Sequence, residues 1–328
     1  MKALVVGMGS MGRRRARLLK QFFAADVCGV DMNEQRREQA TKELEIICFA
    51  DIDEAIKQFK PECALVCTSP LSHSKIITQL LERKLNVFTE INLVSDGYER
   101  NVELAEKNGL TLFLSSTQIY RRELAYVTGR VELYDRPLRY RYRVGQYLPD
   151  WHPWENFKDF FVGDSRTNGC REIMAIEFPW LERAFGYIEG ADAQAASLTS
   201  LDLGCPDTYF INLYHEGGTV GQIMVDVVSR KPIRSLEVTG EELCITWNGT
   251  PDSLYDYDLR NKIDRKVDTY QGVINDPRYS ANIVENAYVD ELAAFIKALN
   301  GEEPVRRTFD EDAAMLDVID AIEGECEL

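Results

Sequence analysis

Three glycines near the start of the chain are spaced as a phosphate-binding turn requires. Gly7, Gly9 and Gly12 form a G-x-G-x-x-G motif between a short apolar run, Lys2 to Val6, and a stretch with helical periodicity. In a strand–turn–helix unit the first glycine permits the tight turn, the second lets the backbone approach a pyrophosphate, and the third allows helix and strand to pack closely. The N–H groups at the helix start then face the phosphates. The motif therefore predicts a dinucleotide site.

A carboxylate follows at the position where such a site holds the adenosine ribose. Asp31 ends a second apolar run, Asp26 to Val30, 19 residues after Gly12. It would accept hydrogen bonds from the ribose hydroxyls and repel a 2′-phosphate, which favours NAD over NADP. NADP stays an alternative because arginines lie nearby: Arg13 could face the phosphates, and the others are expected to form a solvated helix face. These arginines are Arg13, Arg14, Arg15, Arg36 and Arg37.

The elements around this motif alternate between strand and helix over the first 118 residues. This rhythm, with its short connections, predicts a doubly wound parallel sheet, the Rossmann fold. After Gln118 the pattern changes to alternating strands, interrupted by an aromatic-rich stretch at Trp151 to Phe161 and a helix pattern at Arg171 to Phe185. We therefore predict an α/β protein of two domains. Residues 1–118 form a NAD(P)-binding Rossmann domain, and residues 119–328 form an α+β substrate and oligomerisation domain with an open, mainly antiparallel sheet.

The composition narrows the classes of partner. The 328 residues carry a formal net charge of −16, so nucleic acid and anionic membrane surfaces would repel the chain. No apolar run approaches the length that crosses a bilayer, and the start of the chain lacks the pattern of a secretory signal, which predicts a cytoplasmic location. Eight cysteines without a C-x-x-C pair and only three histidines predict reduced thiols and no metal site.

Several further segments resemble the Gfo/Idh/MocA oxidoreductases, the glucose–fructose oxidoreductase and inositol dehydrogenase superfamily. The segment Cys67 to His73 is similar to the family's T-P-x-x-x-H, and Asn86 to Glu90 is similar to the strand that ends in its E-K-P. The resemblance covers most of the chain. Its remaining segments are the opening glycine motif, Ala105 to Leu110 leading to Gln118, Tyr288 to Phe295, and Thr308 to Asp312.

The resemblance implies a set of cofactor contacts at the carboxyl end of a buried strand, where doubly wound sheets bind ligands. Thr68, Ser69 and Pro70 would line the cofactor cleft. His73 would lie near the nicotinamide-side ribose, and Glu90 would face the ring or its ribose; the alternative for His73 is a helix residue without a ligand. The full set of expected cofactor contacts is Gly7, Gly9, Ser10, Met11, Gly12, Asp31, Thr68, Ser69, Pro70, His73, Glu90 and Gln118.

The sequence departs from the family where the family places its acid–base groups. The lysine that normally follows the Glu of E-K-P is absent, since Glu90 is followed by Ile91. The family also has a glycine-rich run and then Asp and His four residues apart on one helix. With Gly169 aligned to the last glycine, Ile173 replaces that Asp and Glu177 replaces that His. An alignment slip of one residue would place Glu172 at the Asp position.

Three residues are therefore candidates for catalysis. Glu177 is the first, because an apolar surrounding would raise its pKa toward neutrality; the alternative is a structural carboxylate paired with Arg171 or Arg183. Glu172 is the reserve. His152, between aromatic residues, could supply a proton or could simply pack among them. The expected substrate contacts are Trp151, Trp154 and Arg171, although the aromatic residues of this stretch are equally compatible with a core or an oligomer face.

Two functional hypotheses remain. The first is a NAD(P)-dependent oxidoreductase that transfers a hydride between nicotinamide and a carbon of a sugar or sugar derivative. Its place would be in surface-polysaccharide sugar metabolism, as in a divergent branch of the superfamily that this chain resembles. The second is an inactive sensor or regulatory protein that binds NAD(P) or a sugar. For either we expect a small-molecule ligand and a homo-oligomer, a dimer or tetramer, because an open sheet face needs burial.

Overall fold

The computed structural model describes residues 1–151, 156–276 and 283–325. The chain divides into two compact units. The first contains residues 1–116 and 288–313, and the second contains residues 117–287 and 314–328. The first division falls two residues from the boundary expected at 118. The sequence pattern did not indicate that residues 288–313 cluster with the first unit.

The first unit contains a six-stranded sheet in which every neighbouring pair is parallel. The strand order is β3-β2-β1-β4-β5-β6, that of a doubly wound fold, so the predicted Rossmann architecture is confirmed. The direction of winding reverses between β1 and β4, and ligands of such sheets bind at the carboxyl ends of these strands. The strands are β1 (Lys2–Val6), β2 (Asp26–Val30), β3 (Ile47–Phe49), β4 (Cys63–Val66), β5 (Asn86–Thr89) and β6 (Leu112–Leu114).

Five helices cover this sheet. They are α1 (Ser10–Phe23), α2 (Glu34–Leu44), α3 (Ile52–Phe59), α4 (Pro70–Glu82) and α5 (Tyr98–Asn108). The sequence sets their ends locally: the Asn33 side chain accepts the Arg36 N–H at the start of α2, and Pro70 occupies the first turn of α4, where its missing N–H costs nothing. The strands read as continuous apolar runs because helices cover both faces of a parallel sheet.

The second unit contains an eight-stranded sheet of order β14-β13-β12-β11-β7-β10-β9-β8. All neighbouring pairs are antiparallel except β7 with β10, so the predicted mainly antiparallel sheet is confirmed. Its strands are β7 (Arg139–Gly145), β8 (Ile188–Ala196), β9 (Thr208–His215), β10 (Val220–Asp226), β11 (Ile233–Thr239), β12 (Cys244–Trp247), β13 (Tyr255–Asp258) and β14 (Ile263–Lys266). Its helices are α6 (Arg122–Glu132) and α7 (Gly169–Phe185).

The alternation along β7 shows how this sheet is covered. Tyr140 and Tyr142 point to one face, where they pack on α7: Tyr140 stacks on Phe185 with ring centroids 4.3 Å apart, and Tyr142 meets Trp180 edge-on. The residues between them point to the other face, which carries exposed arginine and apolar side chains. These are Arg139, Arg141 and Arg143 of β7 with Phe210, Tyr214 and Val220 of the neighbouring strands.

Two helices close the chain, α8 (Glu285–Leu299) and α9 (Phe309–Glu325). Residues 288–313, which include most of α8, belong to the first unit, and the later part of α9 belongs to the second. In the first unit Phe295 of α8 packs edge-on against Phe88 and Phe113. Among the described residues no helix combines the length and apolar character that a membrane span requires.

Candidate functional site

The glycine turn of the first unit has the geometry that the motif predicts. Gly7 has φ +92°, and a Cβ there would lie 2.7 Å from the Cys67 carbonyl oxygen. A Cβ at Gly12 would overlap the carbonyl oxygen of Gly7, so helix and turn touch backbone to backbone. A Cβ at Gly9 would meet no atom within 4 Å. The open space beside the Gly9 backbone is what a pyrophosphate needs in order to approach it.

Helix α1 begins directly beside this opening. Its first residues are Ser10 and Met11, which the sequence placed among the cofactor contacts. Its first turn carries no acidic residue, and its N-cap residue, Gly9, has no side chain that could cap the helix. The amide groups and the positive end of the helix dipole therefore favour an anion at this end.

Asp31 lies at the carboxyl end of β2 and is built into the same turn. Its Oδ2 accepts the N–H of Met8 and its Oδ1 accepts the N–H of Asn33, both at 2.8 Å. A carboxylate oxygen has further acceptor capacity, so these two bonds orient Asp31 and leave room for ribose hydroxyls. Arg37 donates to the carbonyl oxygens of Asp31 and Met32, which also fixes this turn. The residues of the turn thus fit NAD.

The arginines that follow the motif differ from expectation. Arg13 donates to the Met8 carbonyl at 3.0 Å and lies 3.5 Å from Glu43, so these contacts tie it to the turn and to α2. The expectation of a solvated helix face is wrong for Arg14 and Arg15, which are 4% and 0% exposed. Helical periodicity did not reveal this because the partners that bury the two arginines come from distant parts of the chain.

His73 is buried, and both of its ring nitrogens have protein partners. Its Nε2 lies 2.9 Å from the Thr68 carbonyl oxygen, and its Nδ1 lies 2.7 Å from the side-chain amide of Asn92. Burial lowers the pKa of the imidazole and so favours the neutral ring, which has a single N–H to share between the Thr68 carbonyl oxygen and the Asn92 Oδ1. The geometry favours the alternative of a histidine that positions the residues around it; a direct cofactor contact stays a prediction.

The residues between β4 and α4 have mixed surroundings. Thr68 is half-buried and its hydroxyl lies 2.7 Å from that of Ser72. Ser69 is exposed and Pro70, which begins α4, is buried. All of them follow the carboxyl end of β4, on the edge of the sheet where the fold binds ligands.

Glu90 and Gln118 complete the expected contacts. The Glu90 carboxylate is held by Arg15, with distances of 2.6 Å and 3.3 Å to its two oxygens. Gln118 lies in the second unit, in a single turn over Thr117–Tyr120. Its Oε1 is inaccessible and lacks a hydrogen-bond partner within the described part of the chain. For Glu90, the contacts with Arg15 mean that the carboxylate is already engaged within the protein.

Glu177, in the second unit, lies in a fully bonded cluster. Its Oε2 accepts hydrogen bonds from Tyr142 at 2.7 Å and from Trp180 at 2.8 Å, and its Oε1 pairs with Arg234. The carboxylate is 1% exposed. The geometry favours the structural alternative, but the ion-pair partner is Arg234 and neither of the two arginines expected from the sequence. Sequence reasoning missed Arg234 because it lies on a strand 57 residues further along the chain.

Arg171 and Trp151 also have structural partners. The guanidinium of Arg171 pairs with Asp320 at 2.6 Å and with Glu323 at 2.5 Å, both on α9. The indole N–H of Trp151 donates to the Gln146 carbonyl at 3.2 Å. The predictions for His152 and Trp154 fall outside the described residues.

Glu172 differs from these groups. It lies on α7 one turn before Ile176. Glu172 and Ile176 are less buried than Ile173 and Glu177, which lie on the face of α7 that packs against the sheet. The side chain is partly exposed as a whole, yet its Oε2 is inaccessible and makes no hydrogen bond to any described residue. Burial raises the pKa of this carboxyl to about 8.

The described residues contain no group of three or more His, Cys, Asp or Glu side chains that could hold a metal ion.

Comparison with known proteins extends these observations. Residues 1–116 match the model of an oxidoreductase family with an NAD-binding Rossmann fold, GFO_IDH_MocA. No curated protein matches the chain. Among solved structures, a probable dehydrogenase from Thermotoga maritima is 19% identical with a TM-score of 0.78, over 99% of this chain and 97% of that one.

Two further structures have the same fold. The UDP-N-acetylglucosamine 3-dehydrogenase GnnA from Acidithiobacillus ferrooxidans is 14% identical, with a TM-score of 0.78 over 100% of this chain and 98% of that one. GenD2 from gentamicin A biosynthesis, in complex with NAD, is 18% identical, with a TM-score of 0.75 over 99% and 93%. At these identities the likeness shows the fold.

The family match agrees with the geometry of the turn and with the position of Asp31 at the end of β2. The prediction of NAD as the cofactor is thereby confirmed at the level of the family. Residues 1–116 are thus similar to the Gfo/Idh/MocA oxidoreductase family, and they adopt the Rossmann fold that its model describes.

Proposed function

We propose that this protein is an NAD-dependent dehydrogenase or reductase that transfers a hydride between the nicotinamide and a carbon bearing a hydroxyl group in a sugar-like substrate. NAD supplies the hydride chemistry when bound, and the protein must supply a group that takes or gives the hydroxyl proton. The single observation that carries the proposal is Glu172, a carboxyl whose pKa is raised to about 8 and whose Oε2 has no hydrogen-bond partner among the described residues.

Glu172 suits this role better than Glu177. An acid–base group works best when its pKa lies near the operating pH, which a carboxyl reaches only when burial disfavours its charge. Glu177 is held by its ion pair with Arg234 and by two further hydrogen bonds, whereas the Oε2 of Glu172 has no such partner among the described residues. His152 remains a second candidate from the sequence.

The substrate class is proposed on two grounds. One solved structure with this fold is a UDP-N-acetylglucosamine dehydrogenase, and the sequence carries an aromatic-rich stretch from Trp151 to Phe161 that suits sugar rings. The exposed face of the second unit's sheet supports a homo-oligomer, since the exposed side chains of Phe210, Tyr214 and Val220 would gain from burial. The cysteines that are described and free fit a cytoplasmic location.

The test is a titration of the purified protein with NAD and with candidate sugars and nucleotide sugars, followed at 340 nm. We expect one class of sugar to change this absorbance and Glu172→Gln to reduce turnover about 10²-fold or more without changing NAD affinity. Glu177→Gln is the matched control on the same helix, and it should lower thermal stability. NAD binding without turnover for any sugar would favour the sensor hypothesis.

A further inference from the structure

A buried ion cluster in the first unit joins α1 to three other elements. Arg15 lies on α1 one turn after Gly12 and is 0% exposed. Its Nε donates to Oε1 of Glu90, just beyond β5, at 2.6 Å, and its Nη2 donates to Oε2 of Glu291, on α8, at 2.7 Å. The same Nη2 lies 3.1 Å from the hydroxyl of Ser115, which follows β6. One guanidinium thus connects the helix of the glycine motif to both of the last strands and to α8.

Aromatic rings complete the surroundings of this guanidinium. Its central carbon lies 4.7 Å from the ring centroid of Phe88 and 5.0 Å from that of Tyr288. Arginine combines in-plane hydrogen bonds with contacts between its flat faces and aromatic rings, which a lysine cannot reproduce. The position of the guanidinium is therefore fixed in several directions.

Glu291 has its own set of donors. Its Oε1 accepts the backbone N–H of Ser116 at 2.7 Å and the hydroxyl of Ser115 at 3.1 Å, while Oε2 takes Arg15. Both the carboxylate of Glu291 and the guanidinium of Arg15 are fully buried. Removing one partner of a buried ion pair leaves the other charge uncompensated, so the members of this cluster depend on one another.

The place of Arg15 on α1 gives this cluster a consequence for ligand binding. Gly12 lets α1 approach the turn backbone to backbone, but it has no side chain that could fix the helix along its own axis. Arg15 lies three residues further on and supplies such an anchor. The start of α1 and the open space at Gly9 depend on where the helix lies relative to the strands.

We propose that Arg15 is a positioning residue for the pyrophosphate site, and that Glu90 acts on cofactor binding through Arg15 and not as a ligand of the nicotinamide half. The proposal rests on NAD binding by the first unit and is independent of hydride transfer. A chain that binds NAD without turning over any sugar would therefore leave it standing.

The test compares two ligands by calorimetric titration. NAD carries both halves of the dinucleotide, whereas ADP carries the pyrophosphate but lacks the nicotinamide nucleoside. We expect Arg15→Met, Glu90→Gln and Glu291→Gln each to weaken NAD and ADP by the same factor, about tenfold, because the shared phosphate site is displaced. The double variant Arg15→Met with Glu90→Gln should bind no more weakly than Arg15→Met alone.

A matched control separates positioning from loss of stability. Tyr98 donates to Asp312 at 2.6 Å in a buried contact of the same unit that does not involve α1. Tyr98→Phe should lower the melting temperature and leave both affinities unchanged. If Arg15→Met does not fold, Arg15→Lys and Glu291→Gln carry the comparison.

Two results would overturn the proposal. If Glu90→Gln weakens NAD but not ADP, Glu90 is a direct ligand of the nicotinamide half. If the folded variants at Arg15 and Glu291 lose stability but bind both ligands as the unaltered chain does, the cluster is structural only.

Discussion

In each of the two units an arginine pairs with a buried glutamate that the sequence analysis singled out. In the first unit Arg15 holds Glu90 and Glu291, and in the second Arg234 holds Glu177. The first pair anchors the helix of the cofactor turn, whereas the second lies between α7 and the sheet. We infer from this difference that an ion pair affects ligand binding only when the element that it fixes also binds the ligand.

The largest expected effect is on the stability of the first unit. Arg15→Met would leave two buried carboxylates without their cation, which we expect to lower the free energy of unfolding by about 5 kcal/mol, the upper end for a broken buried pair. Denaturant unfolding measures this. A loss below about 1 kcal/mol would show that the buried cluster does not hold the unit together.

Arg234→Met should have a smaller effect. Glu177 would keep its hydrogen bonds from Tyr142 and Trp180, so we expect a loss of about 3 kcal/mol in the same measurement. NAD affinity should not change in this variant. A loss of stability larger than that of Arg15→Met, or a change in NAD affinity, would contradict the view that the Arg15 cluster matters more for cofactor binding than the Arg234 cluster.

Glu172→Gln should raise stability at high pH. Burial raises the pKa of Glu172 to about 8, above its unfolded value of about 4.5. The folded state therefore resists ionisation, and stability declines as the pH rises from about 4.5 through 8. The variant lacks this decline, and we expect its melting temperature at pH 9 to exceed that of the unaltered chain by about 2–4 °C. If the difference in melting temperature between Glu172→Gln and the unaltered chain were the same at pH 9 and at pH 5, the raised pKa would be contradicted.

The smallest expected effect compares one buried histidine in each unit. Burial lowers the pKa of His73 and of His215, whose Nε2 lies 2.7 Å from the Tyr140 hydroxyl. Stability from each neutral ring is complete above the unfolded pKa of about 6.5 and is lost as the pH falls from there through the lower folded value. His215→Asn and His73→Asn should each melt with a weaker dependence on pH between 7.5 and 5.5. An unchanged dependence in both variants would exclude these histidines as its source.

The dinucleotide turn could be predicted from the sequence because its requirements are local. Gly7, Gly9 and Gly12 lie within six residues, and each answers a steric need of one strand–turn–helix connection. Asp31 follows at the end of the next strand, which is the parallel neighbour of β1. The two sheets could be predicted for the same reason, since continuous and alternating apolar runs depend on which faces of a strand are covered.

The division of the chain could be predicted only in part. The change of pattern near residue 118 marks the start of the second unit, because the helix–strand rhythm ends there. Residues 288–313 return to the first unit, and nothing in their own amphipathic pattern specifies which sheet they cover. The apolar face of α8 fits any layer of suitable size.

The sequence by itself determined the cofactor turn, the carboxylate at the end of β2 and the class of both sheets, because these follow from steric and periodic rules within short segments. Only the tertiary structure determined which of the charged candidate residues are paired and buried. Arg15 and Glu90 are 75 residues apart, and Arg15 and Glu291 are 276 apart. Glu172 and Glu177 are five residues apart, which places them about 140° apart around α7. Only the packing of this helix could therefore separate the bonded Glu177 from the Oε2 of Glu172, which has no hydrogen-bond partner among the described residues.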